Sequence, residues 1–334
     1  MKKRFILLLA CIMEISALCA QETQFWGNVD RYQQRQGSHF LKQIDEALDQ
    51  FRPDVSNNIM RRQALYNMDA ILHNTFYDKS EELKEFMATR VEKVIADLRT
   101  PMDDSMKIYK LYNHGFIARA GGVSVAFDII SAGGMISDEQ LELLVDQCDM
   151  MCISHKHPDH AEAKVANLFL SKGKKVYAPD EALPKIEGIT RRYKGTGGDL
   201  TTEKLSFKGG DVMLNILHGH QDDLQNNLYV VTLPGGYTVC QSGDQDNVDD
   251  VAWLKTAFQR IPQVDVFMII CWNQQLQDTI DGFNPKLVVS GHENEILYHG
   301  IDHREAYWLS YEKFDAIRQP YCLMTWGEWI SVWH

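Results

Sequence analysis

Four side chains able to ligate a metal fall within six consecutive positions of this sequence: His155, His157, Asp159 and His160, in the string Ser154-His155-Lys156-His157-Pro158-Asp159-His160. The chain holds only 12 histidines in 334 residues, so a cluster this tight reads as chemistry and not as a solvated surface patch. The string follows the apolar run Met151 to Ile153 and precedes a helix predicted to open at Ala161. In an extended chain His155 and His157 point the same way, while Pro158 turns the backbone so that Asp159 and His160 face an adjacent point. Neutral imidazoles with a carboxylate suit borderline divalent metals such as zinc.

This H-x-H-x-D-H string at a strand-to-helix junction resembles the signature of the metallo-β-lactamase superfamily. The match runs over about residues 106 to 310, and the rest of the family's pattern follows in order as His218-Gly219-His220, Ser242-Gly243-Asp244 and Val288-Val289-Ser290-Gly291-His292. The resemblance implies an α/β fold, the αββα sandwich, with an N-terminal helical extension added in this chain. It also implies two divalent metal ions, zinc first, with manganese or iron as alternatives. His155, His157 and His220 would hold one ion, Asp159, His160 and His292 the other, and Asp244 would bridge them. Asp128 matches a strand-end aspartate that orients the histidine loop from behind. His218 and His220 share a face of an extended segment, and either could reach the metal. His220 is preferred because the chain resembles the form in which the ligand precedes a polar turn and an N-N-x-Y strand, here Asn226-Asn227-Leu228-Tyr229. His218 is then a supporting or substrate group. His299 and Arg304 are candidates beside the substrate, as are Trp272, Asn273, Tyr298 and His303, with packing and surface ion pairs as the equal alternative.

Such a site points to hydrolysis, in which a metal-held water ionises near neutrality and attacks an ester, lactone, amide or phosphodiester. Asp159 is the candidate catalytic residue, orienting the hydroxide and passing its proton to the leaving group. The spacing and the Ser-Gly-Asp-Gln ending look most similar to the L-ascorbate-6-phosphate lactonase branch. True β-lactamases place a cysteine near the bridging position, and Cys240, four residues before Asp244, does not match. Two other readings compete: an iron-dependent redox enzyme resembling sulfur dioxygenases, and a non-catalytic binding protein on the same fold.

The elements that must position these residues are visible as changes of period. Lys107 to Tyr112, Gly115 to Arg119, Val123 to Ile129, Met151 to Ser154, Val176 to Ala178, Val212 to Leu217, Leu228 to Leu233 and Tyr237 to Gln241 read as strands. Asp138 to Cys148 and Ala161 to Ser171 read as helices, and the glycine-bearing stretch 186–210 reads as turns. The runs Gly122 to Asp128 and Gly236 to Asp244 echo one another, each carrying a strand out of a turn and ending on an aspartate, as a duplicated architecture would.

Upstream, apolar residues recur at helical spacing in three runs: Phe40 to Phe51, Met60 to Leu72 and Leu83 to Leu98. They predict a helical extension over 21–105, packed as a cap on a hydrolase domain over 106–334. The first 20 residues read as a signal peptide, with basic Lys2, Lys3 and Arg4, an apolar core and small residues at Ala17, Cys19 and Ala20. Export to the periplasm is expected, with Leu8-Leu9-Ala10-Cys11 as an alternative lipoprotein box. Glu14 cuts the apolar run too short for a membrane span. Removing this segment moves the net charge from −12 to −14, which excludes nucleic acid as a main partner and favours a small-molecule substrate. The helices could also serve as an assembly surface for a homo-oligomer. Five cysteines remain, an odd number, and Cys148 and Cys152 read as small buried hydrophobes.

Overall fold

The computed structural model describes residues 29–73, 81–193, 197–296 and 305–334. The predicted signal peptide, Cys11, Tyr298, His299, His303 and Arg304 lie outside the described residues. No helix among the described residues is long and apolar enough to cross a membrane.

Three helices open the described chain: α1 (Val29–Gln50), α2 (Ile59–Leu72) and α3 (Glu81–Leu98). Asn58 caps α2 by accepting from the Met60 N–H, and Glu81 and Glu82 stand in the first turn of α3, where carboxylates favour the helix dipole.

The first sheet comprises β1 (Met106–Lys110), β2 (Phe116–Ala120), β3 (Val123–Phe127), β4 (Met150–Cys152), β5 (Lys175–Ala178) and β6 (Thr190–Arg191). Helices α4 (Asp138–Gln147) and α5 (Ala163–Ser171) cross between its parallel strands. The second sheet comprises β7 (Leu200–Phe207), β8 (Gly210–Gln221), β9 (Leu224–Thr232), β10 (Thr238–Gln241), β11 (Val266–Ile270), β12 (Leu287–Gly291) and β13 (Tyr321–Cys322), with helices α6 (Val251–Leu254), α7 (Leu276–Phe283) and α8 (Tyr307–Phe314). A last strand, β14 (Glu328–Val332), returns to the first sheet beside β1. The strand orders are β14-β1-β2-β3-β4-β5-β6 and β7-β8-β9-β10-β11-β12-β13.

The two orders repeat one pattern. In each sheet three antiparallel pairings lead to the fourth strand, β3 or β10, and parallel pairings follow. The sequence echo thus falls on equivalent strands, although Asp128 directly follows β3 while Asp244 stands three residues beyond β10.

Alternation along the strands divides the core. Phe116, Phe127, Tyr229, Val231, Met268 and Val289 meet between the sheets, while Ile117, Ala126, Met151, Phe267, Ile269 and Val288 face the outer helices. Cys152 and Cys148 are buried with free thiols, as packing residues.

The three N-terminal helices bury Leu48, Leu65, Met68, Met87 and Val91 in the same hydrophobic cluster as the outer faces of the sheets. Two buried arginines pin them further. Arg61 on α2 pairs with Glu328 and donates to the Leu323 carbonyl at 2.8 Å. Arg90 on α3 donates to the Trp326 carbonyl at 2.7 Å and lies 3.4 Å from the same carboxylate. Glu328 is held below the usual carboxylate range, burial being outweighed by these guanidiniums.

The expectation of turns over 186–210 needs correction, since Leu200–Phe207 is an eight-residue strand. It forms the edge of its sheet, and only Leu205 on it is buried, with Phe207 packed beside the same core, so the apolar alternation is too short to stand out in the sequence. Strand β8 likewise runs on to Gln221, carrying His218 and His220 as strand residues.

Candidate metal centre

The histidine loop leaves β4 and is fixed from beneath by Asp128, which ends β3 in a left-handed conformation, φ 46°. Its carboxylate accepts from the Ser154 N–H at 2.7 Å, Ser154 Oγ at 2.7 Å, Gln241 Nε2 at 2.6 Å and His160 Nδ1 at 2.9 Å. This network fixes a tautomer. With Nδ1–H of His160 given to Asp128, the lone pair on Nε2 is turned to the other side of the ring. Ser154 Oγ, whose proton goes to Asp128, sits 3.0 Å from His155 Nδ1 and orients that ring in the same way.

On the far side of these rings two groups of donor atoms converge, each within 4.8 Å: Asp159, His160, Asp244 and His292 in one, and His155, His157 and Asp244 in the other. Asp244 belongs to both. It follows β10 through Gly243, at φ 53°, where an added Cβ would meet Asn226 Oδ1 at 2.2 Å and Ser154 Cβ at 2.5 Å. Only glycine brings the second sheet this close to the histidine loop.

The donor atoms are buried and lack hydrogen-bond partners: His155 Nε2, His160 Nε2 and Asp244 Oδ1. They crowd one another, with His160 Nε2 3.2 Å from Asp244 Oδ1 and His155 Nε2 3.7 Å from Asp244 Oδ2. Buried polar atoms left unpaired cost about 1–3 kcal/mol each unless something satisfies them. Lone pairs of imidazole and carboxylate aimed at common points are satisfied by a divalent cation, which the cluster fits.

Electrostatics set the protonation of the protein groups. Burial lowers the His155 pKa well below its ordinary value, and the neighbouring His160 pushes the same way. For Asp244, burial is overcome by His160, His292 and His155, which hold its carboxyl well below the usual range. Asp159 is likewise held down by His160 and His292 against the effect of burial. His155 neutral with Asp159 and Asp244 ionised is the state a metal requires. Against the effect of burial, the same carboxylates push the His160 pKa well above its ordinary value and that of His292 up to about 10, so both rings would give up a proton to an incoming ion.

His292 follows β12 in a strained turn. Its φ is 74° and that of Asn294 is 52°, conformations that cost about 1 kcal/mol or more each for residues with a side chain. Its N–H donates to the Asn113 carbonyl at 3.0 Å, and Asn113 Nδ2 lies 2.7 Å from Asp159 Oδ2 and 3.2 Å from His292 Nε2. Beneath the turn, fully buried Lys110 pairs with Glu293, which also accepts from Ser290 Oγ. Gly291 is needed here too, because a Cβ would lie 2.2 Å from His114 Nδ1. Glu295 is 8% exposed and its Oε1 has no partner. Burial and the nearby Asp159 push its carboxyl up to about 7.

Asn113, His114, Asn294 and Glu295 were missed by sequence reasoning. The Tyr112-Asn113-His114-Gly115 turn between two strands offered a signal, a histidine at a strand end, whereas nothing in Glu293-Asn294-Glu295 tells which side chain turns inward.

The second His-x-His pair belongs to neither donor group. His218 and His220 do share a face of β8, and both rings meet Tyr193, at centroid distances of 5.0 and 5.9 Å. His218 gives Nδ1–H to Asn227 Oδ1 at 2.9 Å and has Thr201 Oγ1 3.2 Å from Nε2. His220 has Asp250 at 3.1 Å from Nδ1 and accepts from Tyr193 OH at 2.6 Å on Nε2. It borders a cavity of about 390 Å³ with Asp222, Asn247, Asp249 and Trp253. Trp272 stands edge-on to the His292 ring, 5.6 Å between centroids, and lines a second cavity of about 450 Å³ with Asn273, Leu276 and Lys313.

No protein-family model matches the sequence. No curated protein matches it either. Among solved structures, the chain is similar to Igni18, a metallo hydrolase from the archaeon Ignicoccus hospitalis KIN4/I, at 17% identity and a TM-score of 0.52, over 69% of this chain and 99% of that one. It is also similar to the metallo-β-lactamase fold protein YhfI from Bacillus subtilis (14% identity, TM-score 0.48, 69% of this chain and 100% of that one). A third is CmlA, a diiron β-hydroxylase from Streptomyces venezuelae (14% identity, TM-score 0.48, 70% of this chain and 54% of that one). The likeness to Igni18 is one of fold alone, and the two-sheet α/β architecture with outer helices is the class the sequence led us to expect.

Proposed function

We propose that this chain, a metallo-β-lactamase sandwich, is an exported metal-dependent hydrolase of a small ester, lactone, amide or phosphodiester. One observation carries the proposal: buried lone pairs from His155, His160 and Asp244 that no protein group satisfies, converging from both halves of the sandwich.

His155 and His157 would hold one ion, and Asp159, His160 and His292 the other, with Asp244 between them. Two such ions, zinc before manganese or iron, supply Lewis acidity and a water acidified to near neutrality. His220 is held by Tyr193 and Asp250, and completes the first ligand set only when its ring leaves them. Asp128 keeps the His160 lone pair facing inward. Asn113 Nδ2 fixes one oxygen of Asp159 and leaves its carboxylate aligned to accept a proton at the other. Glu295, with a carboxyl that titrates near neutrality, can hold a proton for the leaving group. Trp272 and Leu276 offer an apolar wall beside His292 for the uncharged part of a substrate. The lactonase-like spacing supports a lactone or ester first, and the basic and apolar N-terminus supports export.

The test is metal analysis of purified protein together with a panel of lactone, ester, phosphodiester and β-lactam substrates after reconstitution with zinc, manganese or iron. Loss of both metal and hydrolysis in His157→Ala and Asp244→Asn is expected. Retention of both in the two variants overturns the proposal, and iron-dependent oxidation without hydrolysis replaces it with redox chemistry.

A further inference from the structure

The strained turn that carries His292 is braced from two directions. One brace belongs to the sandwich: the Asn113 carbonyl and the buried Lys110–Glu293 pair. The other comes from α2, in the N-terminal helical segment. Asn294, two residues beyond His292 and itself at φ 52°, donates from Nδ2 to Asp69 Oδ1 at 2.9 Å, while its Oδ1 lies 2.9 Å from His73 Nε2. An amide oxygen only accepts, so His73 contributes the proton. The Asn294 backbone N–H goes to the Glu305 carbonyl at 3.0 Å.

Asp69 does more than grip Asn294. Its carboxylate also accepts the Tyr307 N–H at 2.8 Å and the Trp308 N–H at 3.0 Å, the first two helical amides of α8. The residue at the N-cap of α8, Ala306, has no side chain able to do this. One carboxylate, 6% exposed, therefore ties the residues just after His292 to the start of α8 and supplies that helix with the cap its own sequence lacks. Burial pushes the Asp69 carboxyl up, so leaving it among these donors is sustained only by the hydrogen bonds it receives.

We infer that the N-terminal helices are part of the metal centre: Asp69 and His73 are positioning residues that hold the Asn294 turn, and through it the His292 ring, in ligand geometry. This rests on the two-ion reading above. A helical cap added only for stability has no reason to place its buried carboxylate and a histidine on the residue two beyond a candidate ligand.

The experiment is titration of metal-free protein with cobalt(II), read by its visible absorption, on wild type, Asp69→Ala, His73→Ala and His73→Gln. Wild type is expected to take up two equivalents. Asp69→Ala should bind one as tightly as wild type and the other at least about tenfold more weakly. His73→Ala, at a half-buried site where folding is not at risk, should weaken the same equivalent about threefold. His73→Gln, whose side-chain amide can still donate to Asn294, should restore it. A folded Asp69→Ala with both equivalents at wild-type affinity overturns the inference and leaves the hydrolase reading intact. If Asp69→Ala fails to fold, the histidine pair decides, and equal binding by His73→Ala and wild type overturns it. Wild type taking up no cobalt overturns the metal reading and this inference with it.

Discussion

Two His-x-His pairs, His155-Lys156-His157 and His218-Gly219-His220, have the same spacing and stand in opposite chemical situations. The first lies in bends beyond β4 and the second within strand β8, and both include a fully buried ring. In the second pair each ring nitrogen has a protein partner: Asn227 and Thr201 on His218, Asp250 and Tyr193 on His220. In the first, His155 Nδ1 is steadied by Ser154 while Nε2 has none. Spacing brings rings together, and the accounting of their hydrogen bonds decides whether they await a ligand.

The largest effect that could break this contrast comes from the pair of variants His157→Ala and His220→Ala. The first should remove at least one equivalent of metal and lower hydrolysis by about three orders of magnitude, several kcal/mol of transition-state stabilisation. The second should keep most of its metal, since His220 is held elsewhere. Elemental analysis of both decides, and equal loss of metal would show that His220 swings into the site. A smaller effect sharpens the role of the support beneath the first pair. Asp128→Asn removes the acceptor that sets the His160 tautomer and should cost about 10–100-fold in metal affinity, measured by chelator competition. Unchanged affinity would mean that Ser154 and Gln241 suffice.

The contrast extends to carboxylates, where the effect is smallest. Asp250 accepts from Trp253 Nε1, Gln245 Nε2 and the His220 N–H, whereas Glu295 Oε1 accepts from nothing. The folded protein holds the Glu295 proton more tightly than the unfolded chain, so stability is lost as pH rises from about 4.5 to about 7. In metal-free protein Glu295→Gln should therefore be neutral at pH 4.5 and stabilising by about 1–2 kcal/mol at pH 8, the shift being discounted for partial solvent access. Urea unfolding at the two pH values measures it, and equal stability of variant and wild type at pH 8 would remove the strain assigned to this carboxyl.

That the histidine loop, Asp244 and His292 converge was legible as an expectation because ligand chemistry restricts residue type at each candidate position, and the sequence spacing survives folding when the loop between strand and helix is short. The helical periods of α1 to α3 were legible for the usual reason, a buried stripe every three to four residues. Strand β7 was not, since an edge strand that buries little beyond Leu205 and Phe207 leaves too short an apolar pattern to read. Neither were Asn113, Asn294 and Asp69, whose importance lies in partners far along the chain: Asn294 and Asp69 are 225 residues apart.

By itself the sequence determined that this chain carries a set of candidate metal ligands on a strand-and-helix framework preceded by helices, because residue type and period are local properties. Which histidine nitrogens lack a protein partner, which aspartate links both donor groups, and that a helix before the sandwich reaches the turn carrying His292 were decided only by the tertiary structure. Hydrogen bonds between distant segments satisfy some of these groups and leave others bare, and that distribution exists only once the chain has closed on itself.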